Sequence, residues 1–107
     1  MRRSHVPLVK AAKRQDIAPG TGVAAECGGK PVALFHVDGR FYATQNHCPH
    51  RGGPLAEGEL EGTVVTCPWH AWRFDVCSGL NADNPNLKLA CYPVTVEGDD
   101  VLVQIDG

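Results

Sequence analysis

Apolar and polar positions alternate along the chain in short bursts, with turn residues between them. Val23-Ala24-Ala25-Glu26-Cys27 reads as a strand that stops at Gly28-Gly29. Pro31-Val32-Ala33-Leu34-Phe35-His36-Val37 is a longer strand, and Arg40-Phe41-Tyr42-Ala43-Thr44 returns from it across Asp38-Gly39. An Asp-Gly link between two apolar runs is the signature of a tight hairpin, because both positions tolerate positive φ. Thr63-Val64-Val65-Thr66 and the alternating Trp72-Arg73-Phe74 add two short strands. Tyr92-Pro93-Val94-Thr95-Val96 and Val101-Leu102-Val103-Gln104-Ile105, joined through Gly98-Asp99, make a closing hairpin. Val6-Pro7-Leu8-Val9 is expected as a first edge strand, and Lys10 to Gln15 as one helical turn before Pro19-Gly20. Asn46 to Gly58 and Asp75 to Asn86 hold the Gly and Pro of loops. No segment sustains a helical period for four turns, so the expected class is all-β: an antiparallel sandwich or barrel.

Composition narrows this further. The chain has 107 residues, 43% of them hydrophobic, which suits one folded domain over residues 1–107. No run of 18 apolar residues exists, so no membrane span is expected. Basic residues and Pro7 interrupt any signal-peptide pattern, so a cytoplasmic monomer is the expectation. Net charge is −2 but unevenly placed. Arg2, Arg3, Lys10, Lys13 and Arg14 precede every acid, leaving five bases against twelve acids, a balance of −7, in the rest. Such a body does not suit a nucleic-acid groove. Attraction to a basic partner and simple solubility both account for the balance.

Five cysteines are an odd number, so at least one stays outside any intrachain disulfide. Without an export signal, metal binding is a better default than a disulfide framework. The informative segments are Cys48-Pro49-His50 and Cys67-Pro68-Trp69-His70. Each places a thiolate and an imidazole on one loop. Sixteen residues separate His50 from Cys67, enough for the chain to leave on one strand and return on another. Two loops could then clamp one centre, with Gly52, Gly53 and Pro54 tightening the first and Pro68 the second. A Cys₂His₂ set suits zinc or an iron–sulfur centre by ligand type. The Cys-x-His spacing is unlike a structural zinc finger, yet the residues alone leave both open.

Cys48-Pro49-His50-Arg51-Gly52-Gly53-Pro54-Leu55 and Cys67-Pro68-Trp69-His70-Ala71-Trp72-Arg73-Phe74-Asp75 resemble the two cluster-binding boxes of Rieske proteins. The likeness runs from about Val32 to Val103. It implies a Rieske fold, with a sandwich or barrel-like base and a small cluster-binding subdomain at about 45–86. It implies one [2Fe-2S] cluster, with Cys48 and Cys67 on one iron and His50 and His70 on the other. Two comparable groups are the ferredoxins of aromatic-ring dioxygenase systems and the small subunit of assimilatory nitrite reductase. The first implies an electron carrier, not an enzyme, between a flavin-containing reductase and a terminal oxygenase. The second implies the nitrite reductase large subunit as partner, and a zinc adaptor is the non-redox alternative. High-potential respiratory members carry an extra cysteine in each box, where Gly53 and Trp69 stand here. They also carry a serine and a tyrosine where Trp72 and Phe74 stand, so the resemblance implies a low-potential member.

The remaining candidates carry plainer expectations. Cys27 and Cys91, on predicted strands, are expected as small core residues, and Cys77 as an exposed turn residue. A Cys77–Cys91 bridge is not the expectation in an unexported chain. His47 is expected as an exposed loop residue, while His5 and His36 lack ligand spacing. One of Trp69 and Trp72 is expected to shield the cluster, and Pro49, Arg51, Pro54, Pro68 and Trp69 to form a rim around it. Gly52 and Gly53 serve either backbone dihedrals or close approach.

Overall fold

The computed structural model describes residues 8–48, 53–69, 71–84 and 86–105. The described residues form ten strands in three antiparallel sheets, which is the all-β class expected. The strands are β1 (Leu8–Lys13), β2 (Gly22–Cys27), β3 (Lys30–Val37), β4 (Arg40–Gln45) and β5 (Glu59–Glu61). They continue with β6 (Val64–Thr66), β7 (Arg73–Asp75), β8 (Cys91–Tyr92), β9 (Val94–Glu97) and β10 (Asp100–Gln104). The sheets run β1-β10-β9, β2-β3-β4-β8 and β5-β6-β7. Among the described residues no helix is long and apolar enough to cross a membrane.

The four-stranded sheet is the middle layer, and β3 shows why. Val32, Ala33, Leu34 and Phe35 are all fully buried. A strand covered on both faces loses its alternation and becomes a continuous apolar run. Val32 and Leu34 share one core with Phe41, Ala43, Val101, Val103 and Ile105, toward the β1-β10-β9 sheet. Ala33 and Phe35 join the opposite core, with Leu55, Val65, Phe74, Leu89 and both box cysteines, Cys48 and Cys67. The middle sheet is thus a floor on which the β5-β6-β7 sheet and the cysteine loops are built.

Asp38 and Gly39 adopt φ of 48° and 83°, the positive pair that a tight hairpin between β3 and β4 requires. Tyr92 to Val96, expected as one strand, is two. Tyr92 pairs with Ala43 in the middle sheet, and Val94 pairs with Val103 in the outer one. Pro93 lacks the N–H a ladder needs, and the chain changes sheets there while its carbonyl accepts from Gln104 N–H at 2.9 Å.

The N-terminal expectation is corrected. Lys10–Lys13 is strand, not helix, and only Arg14–Asp16 makes a 3₁₀ turn. A register shift between Lys10 and Ala12 lets β1 stay paired with β10, and Lys10 Nζ meets Asp100 Oδ1 at 3.2 Å. Val6 and Pro7 lie outside the described residues. Strand β5 had no counterpart in the sequence reading, since only Leu60 between two glutamates turns inward.

Cys27 is fully buried as expected, and burial lifts its thiol pKa above the usual 9.0. The sign follows from linkage. The unfolded thiol ionises first, from about its ordinary pKa, so the folded state loses stability as pH rises past 9.0. Thermal melts are expected to be flat through neutral pH and to fall above that point. Cys27→Ala, at a cavity cost of about 1 kcal/mol, is expected to show a smaller alkaline drop. An unchanged drop would assign it to other groups.

Candidate metal centre

Each box cysteine sits at the root of a loop on a two-stranded stem. The first stem is irregular. Asn46 carbonyl accepts from Leu55 N–H at 2.7 Å, its side-chain Oδ1 accepts from Ala56 N–H at 3.0 Å, and His47 bridges to Pro54. The second is β6 and β7, with Thr66 opposite Arg73. Each loop is closed in the same way. Cys48 N–H donates to the Gly53 carbonyl at 2.9 Å, and Cys67 N–H donates to the Trp72 carbonyl at 2.7 Å. Both bonds span five residues along the chain, so the two boxes are built to one plan.

The loops converge at sulfur. Cys48 and Cys67 are 2% and 1% exposed, and their thiols are within hydrogen-bonding reach of each other. Burial pushes the Cys67 thiol pKa up; the neighbouring Cys48 adds to this, while the Trp69 N–H works against it. That N–H donates to Cys67 Sγ at 3.4 Å. Two buried sulfurs held side by side, with a backbone donor aimed at one of them, suit two thiolates that share a cation-rich group. Without such a group, burial keeps a thiol protonated.

Gly53 shows how tightly the loops meet. A Cβ there would lie 2.8 Å from Cys67 Sγ and 3.0 and 3.1 Å from Trp69 Cγ and Cβ. Its φ is not positive, so of the two roles considered for this glycine, close approach is the one present. Trp69 therefore fills the space facing Gly53, with half its surface still exposed. Trp72 is the half-buried tryptophan. It packs against the core that holds both cysteines, its ring 6.4 Å from that of Phe74. Of the two tryptophans, Trp72 is thus the one packed on the core that holds both cysteines. Phe74, fully buried, places no hydroxyl near the sulfurs.

His50 and His70, the expected imidazole ligands, lie outside the described residues, as do Pro49, Arg51, Gly52 and His5. His47 is exposed, as expected. His36 is a structural residue: its Nδ1 lies 2.8 Å from the Ile17 carbonyl and its ring stacks on Phe41 at 4.3 Å. Cys91 corrects the sequence reading, because it is exposed and not core. Strand β8 is the edge of the middle sheet, and Cys91 points opposite to Tyr92, the residue that faces the core of Val32 and Leu34. Cys77 is exposed as expected. Sequence reasoning missed Asn46, whose two acceptors hold the first stem. An Asn directly ahead of a Gly/Pro-rich loop is the signal that marks it.

Comparison with known proteins accounts for this arrangement. Residues 7–93 match the family described as Rieske [2Fe-2S] domain. The ferredoxin component of the naphthalene 1,2-dioxygenase/salicylate 5-hydroxylase systems of a Ralstonia species is 38% identical over 99 residues, covering 92% of this chain and 95% of that one. The ferredoxin of carbazole 1,9a-dioxygenase from Nocardioides aromaticivorans IC177 superimposes with a TM-score of 0.86 at 29% identity, covering 92% of this chain and 98% of that one. A putative nitrite reductase NADPH small subunit superimposes with a TM-score of 0.82 at 25% identity, covering 94% of this chain and all of that one.

Proposed function

The chain belongs to the Rieske [2Fe-2S] domain family and is an electron-carrying ferredoxin component; we propose that it takes single electrons from a flavin-containing reductase and gives them to a terminal oxygenase that hydroxylates aromatic rings. The observation carrying this reading is the pair of equally closed loops that bring Cys48 and Cys67 together, within a chain that the matched dioxygenase ferredoxin covers to 92%. Cys48 and Cys67 would hold one iron, and His50 and His70 the other. When bound, a [2Fe-2S] cluster supplies a one-electron couple whose potential depends on ligands, hydrogen bonds to sulfur and access of water.

This chain's residues set those conditions. Cys48 and Cys67 keep the sulfurs inside a core shared with Leu55, Val65 and Phe74. Trp72 covers that core, and the Trp69 N–H supplies a hydrogen bond to Cys67. Phe74 offers none, which supports a potential in the lower part of the family's range.

Trp69 is the most exposed large apolar side chain among the described residues and follows Cys67 by two positions, beside exposed Pro68. Electron-transfer encounters use small interfaces in which one aromatic anchor carries much of the binding. Trp69→Ala is expected to leave the visible spectrum intact and to slow transfer to the oxygenase roughly tenfold. Unchanged transfer kinetics would remove Trp69 from the docking surface.

The function itself is tested by reconstitution. The holoprotein, a flavin-containing reductase and an aromatic-ring oxygenase are expected to give product only when all three are present. Failure there, with delivery of electrons to a nitrite reductase large subunit instead, would move the chain to the nitrite reductase group. The 38% identity to a dioxygenase ferredoxin favours the first result.

A further inference from the structure

Two cysteines outside the metal centre face one cavity. Cys77 lies on the turn after β7, and Cys91 is on edge strand β8. Both line a surface cavity of about 370 Å³ together with Tyr42 and Val76. Both are exposed free thiols. The turn is held by Asp75, whose Oδ1 accepts from Cys77 N–H at 2.8 Å and Ser78 N–H at 3.2 Å. It is tied to the segment leading into β8 by Leu89 N–H, which donates to the Gly79 carbonyl at 2.7 Å. Gly79, at φ 83°, has no side chain to keep strand and turn apart. A Cβ there would lie 2.8 Å from Cys91 Sγ. The Cys91 sulfur therefore rests on the same turn that carries Cys77, two residues away.

We propose that Cys77 and Cys91 form a peroxide-reactive dithiol site, closing to a disulfide across the seam between the turn after β7 and edge strand β8.

The surroundings divide the roles. The Tyr42 hydroxyl hydrogen-bonds the Cys77 side chain, and this bond, with burial, raises the pKa of Tyr42 while Arg40 opposes it. Cys77, on the open turn with Tyr42 beside it in the cavity, is the sulfur placed to meet peroxide first. Cys91 rests its sulfur on the Gly79 turn and donates its thiol to the Leu89 carbonyl at 3.8 Å. That suits a sulfur which waits and then resolves. In the first step Cys77 sulfur attacks hydrogen peroxide. The O–O bond breaks, an S–O bond forms, and the departing oxygen leaves as water with the thiol proton. In the second, Cys91 sulfur attacks Cys77 sulfur. The S–O bond breaks, the S–S bond forms, and a second water leaves. Two thiols lose two electrons and two protons, and one peroxide becomes two waters.

The test is peroxide treatment of the cluster-loaded protein, followed by alkylation, digestion and mass spectrometry. The expected result is the loss of two alkylatable thiols per chain and a linked Cys77–Cys91 peptide, both reversed by dithiothreitol. Cys91→Ser is expected to stop at a dimedone-trappable sulfenic acid on Cys77. Cys77→Ser is expected to form no linked peptide at the same dose, so the test stands even where one variant fails to load its cluster. Bleaching of the visible spectrum with Cys77 and Cys91 still fully alkylatable would overturn the proposal. So would linkage of either thiol to a different cysteine.

Discussion

Cys67→Ala is expected to give a folded, colourless protein without iron, sulfide or electron-transfer activity. The two possible roles of this residue differ in size. As packing alone, a buried sulfur replaced by a methyl group costs about 1 kcal/mol, which a small domain survives. As a cluster ligand, its loss removes one of two thiolates. Even the groups that merely orient metal ligands cost roughly 10–100-fold in affinity when removed, so a ligand costs more. The same outcome is expected for Cys48→Ala, because the two thiols lie in one buried pair. Cys27→Ala is the control. Cys27 is just as buried but belongs to the opposite core, and that variant is expected to stay red-brown. Red-brown Cys67→Ala protein holding two irons would remove Cys67 from the ligand set.

Gly58→Ala is expected to be the most destabilising Gly-to-Ala change among the described residues. A Cβ at Gly58 would overlap the Thr66 carbonyl oxygen, with the Val65 side chain only 3.1 Å away. A backbone oxygen in a sheet cannot swing aside as a side-chain end can. Overpacking of this kind typically costs about 1–3 kcal/mol, occasionally more, and here the upper end is expected. The damage reaches the metal centre because Thr66 pairs with Glu59 and leads directly into Cys67. Denaturant titration of the loaded protein should show a lowered midpoint, together with faster cluster loss. Gly20→Ala is a fitting comparison, since a Cβ there meets nothing within 4 Å and only its φ of 82° is strained. Wild-type stability in Gly58→Ala would mean that β5 and β6 separate at little cost.

The pairing of Cys48 with Cys67 was legible in the sequence because metal chemistry dictates residue types. A thiolate and an imidazole at Cys48 and His50, then at Cys67 and His70, have few purposes together on Gly/Pro-rich loops. The β3–β4 hairpin was legible because Asp38-Gly39 accepts a conformation that most residue pairs resist. What escaped depended on contacts between distant segments. Strand β5 looks like an acidic loop until Leu60 is seen opposite Val65. Lys10 to Lys13 has no strand pattern of its own and is held by pairing with β10. Pro93 was visible as a strand breaker, but that it moves the chain between sheets follows from which partners lie on either side. Cys91 read as core because it sits in an apolar run, whereas its place on an edge strand leaves it exposed. Asn46 does its work through two hydrogen bonds, to Leu55 at the end of the first box and to Ala56 just past it.

The most direct test is a reductive titration of the purified protein followed by pulsed EPR at low temperature. One electron per chain is expected to be taken up, with one unpaired spin per two irons that appears only on reduction. Nitrogen couplings from two histidines are expected on that spin, one lost in His50→Cys and the other in His70→Cys. A spin with no histidine nitrogen coupling, or a colourless protein that takes up no electron, would contradict an electron carrier built on Cys48, His50, Cys67 and His70.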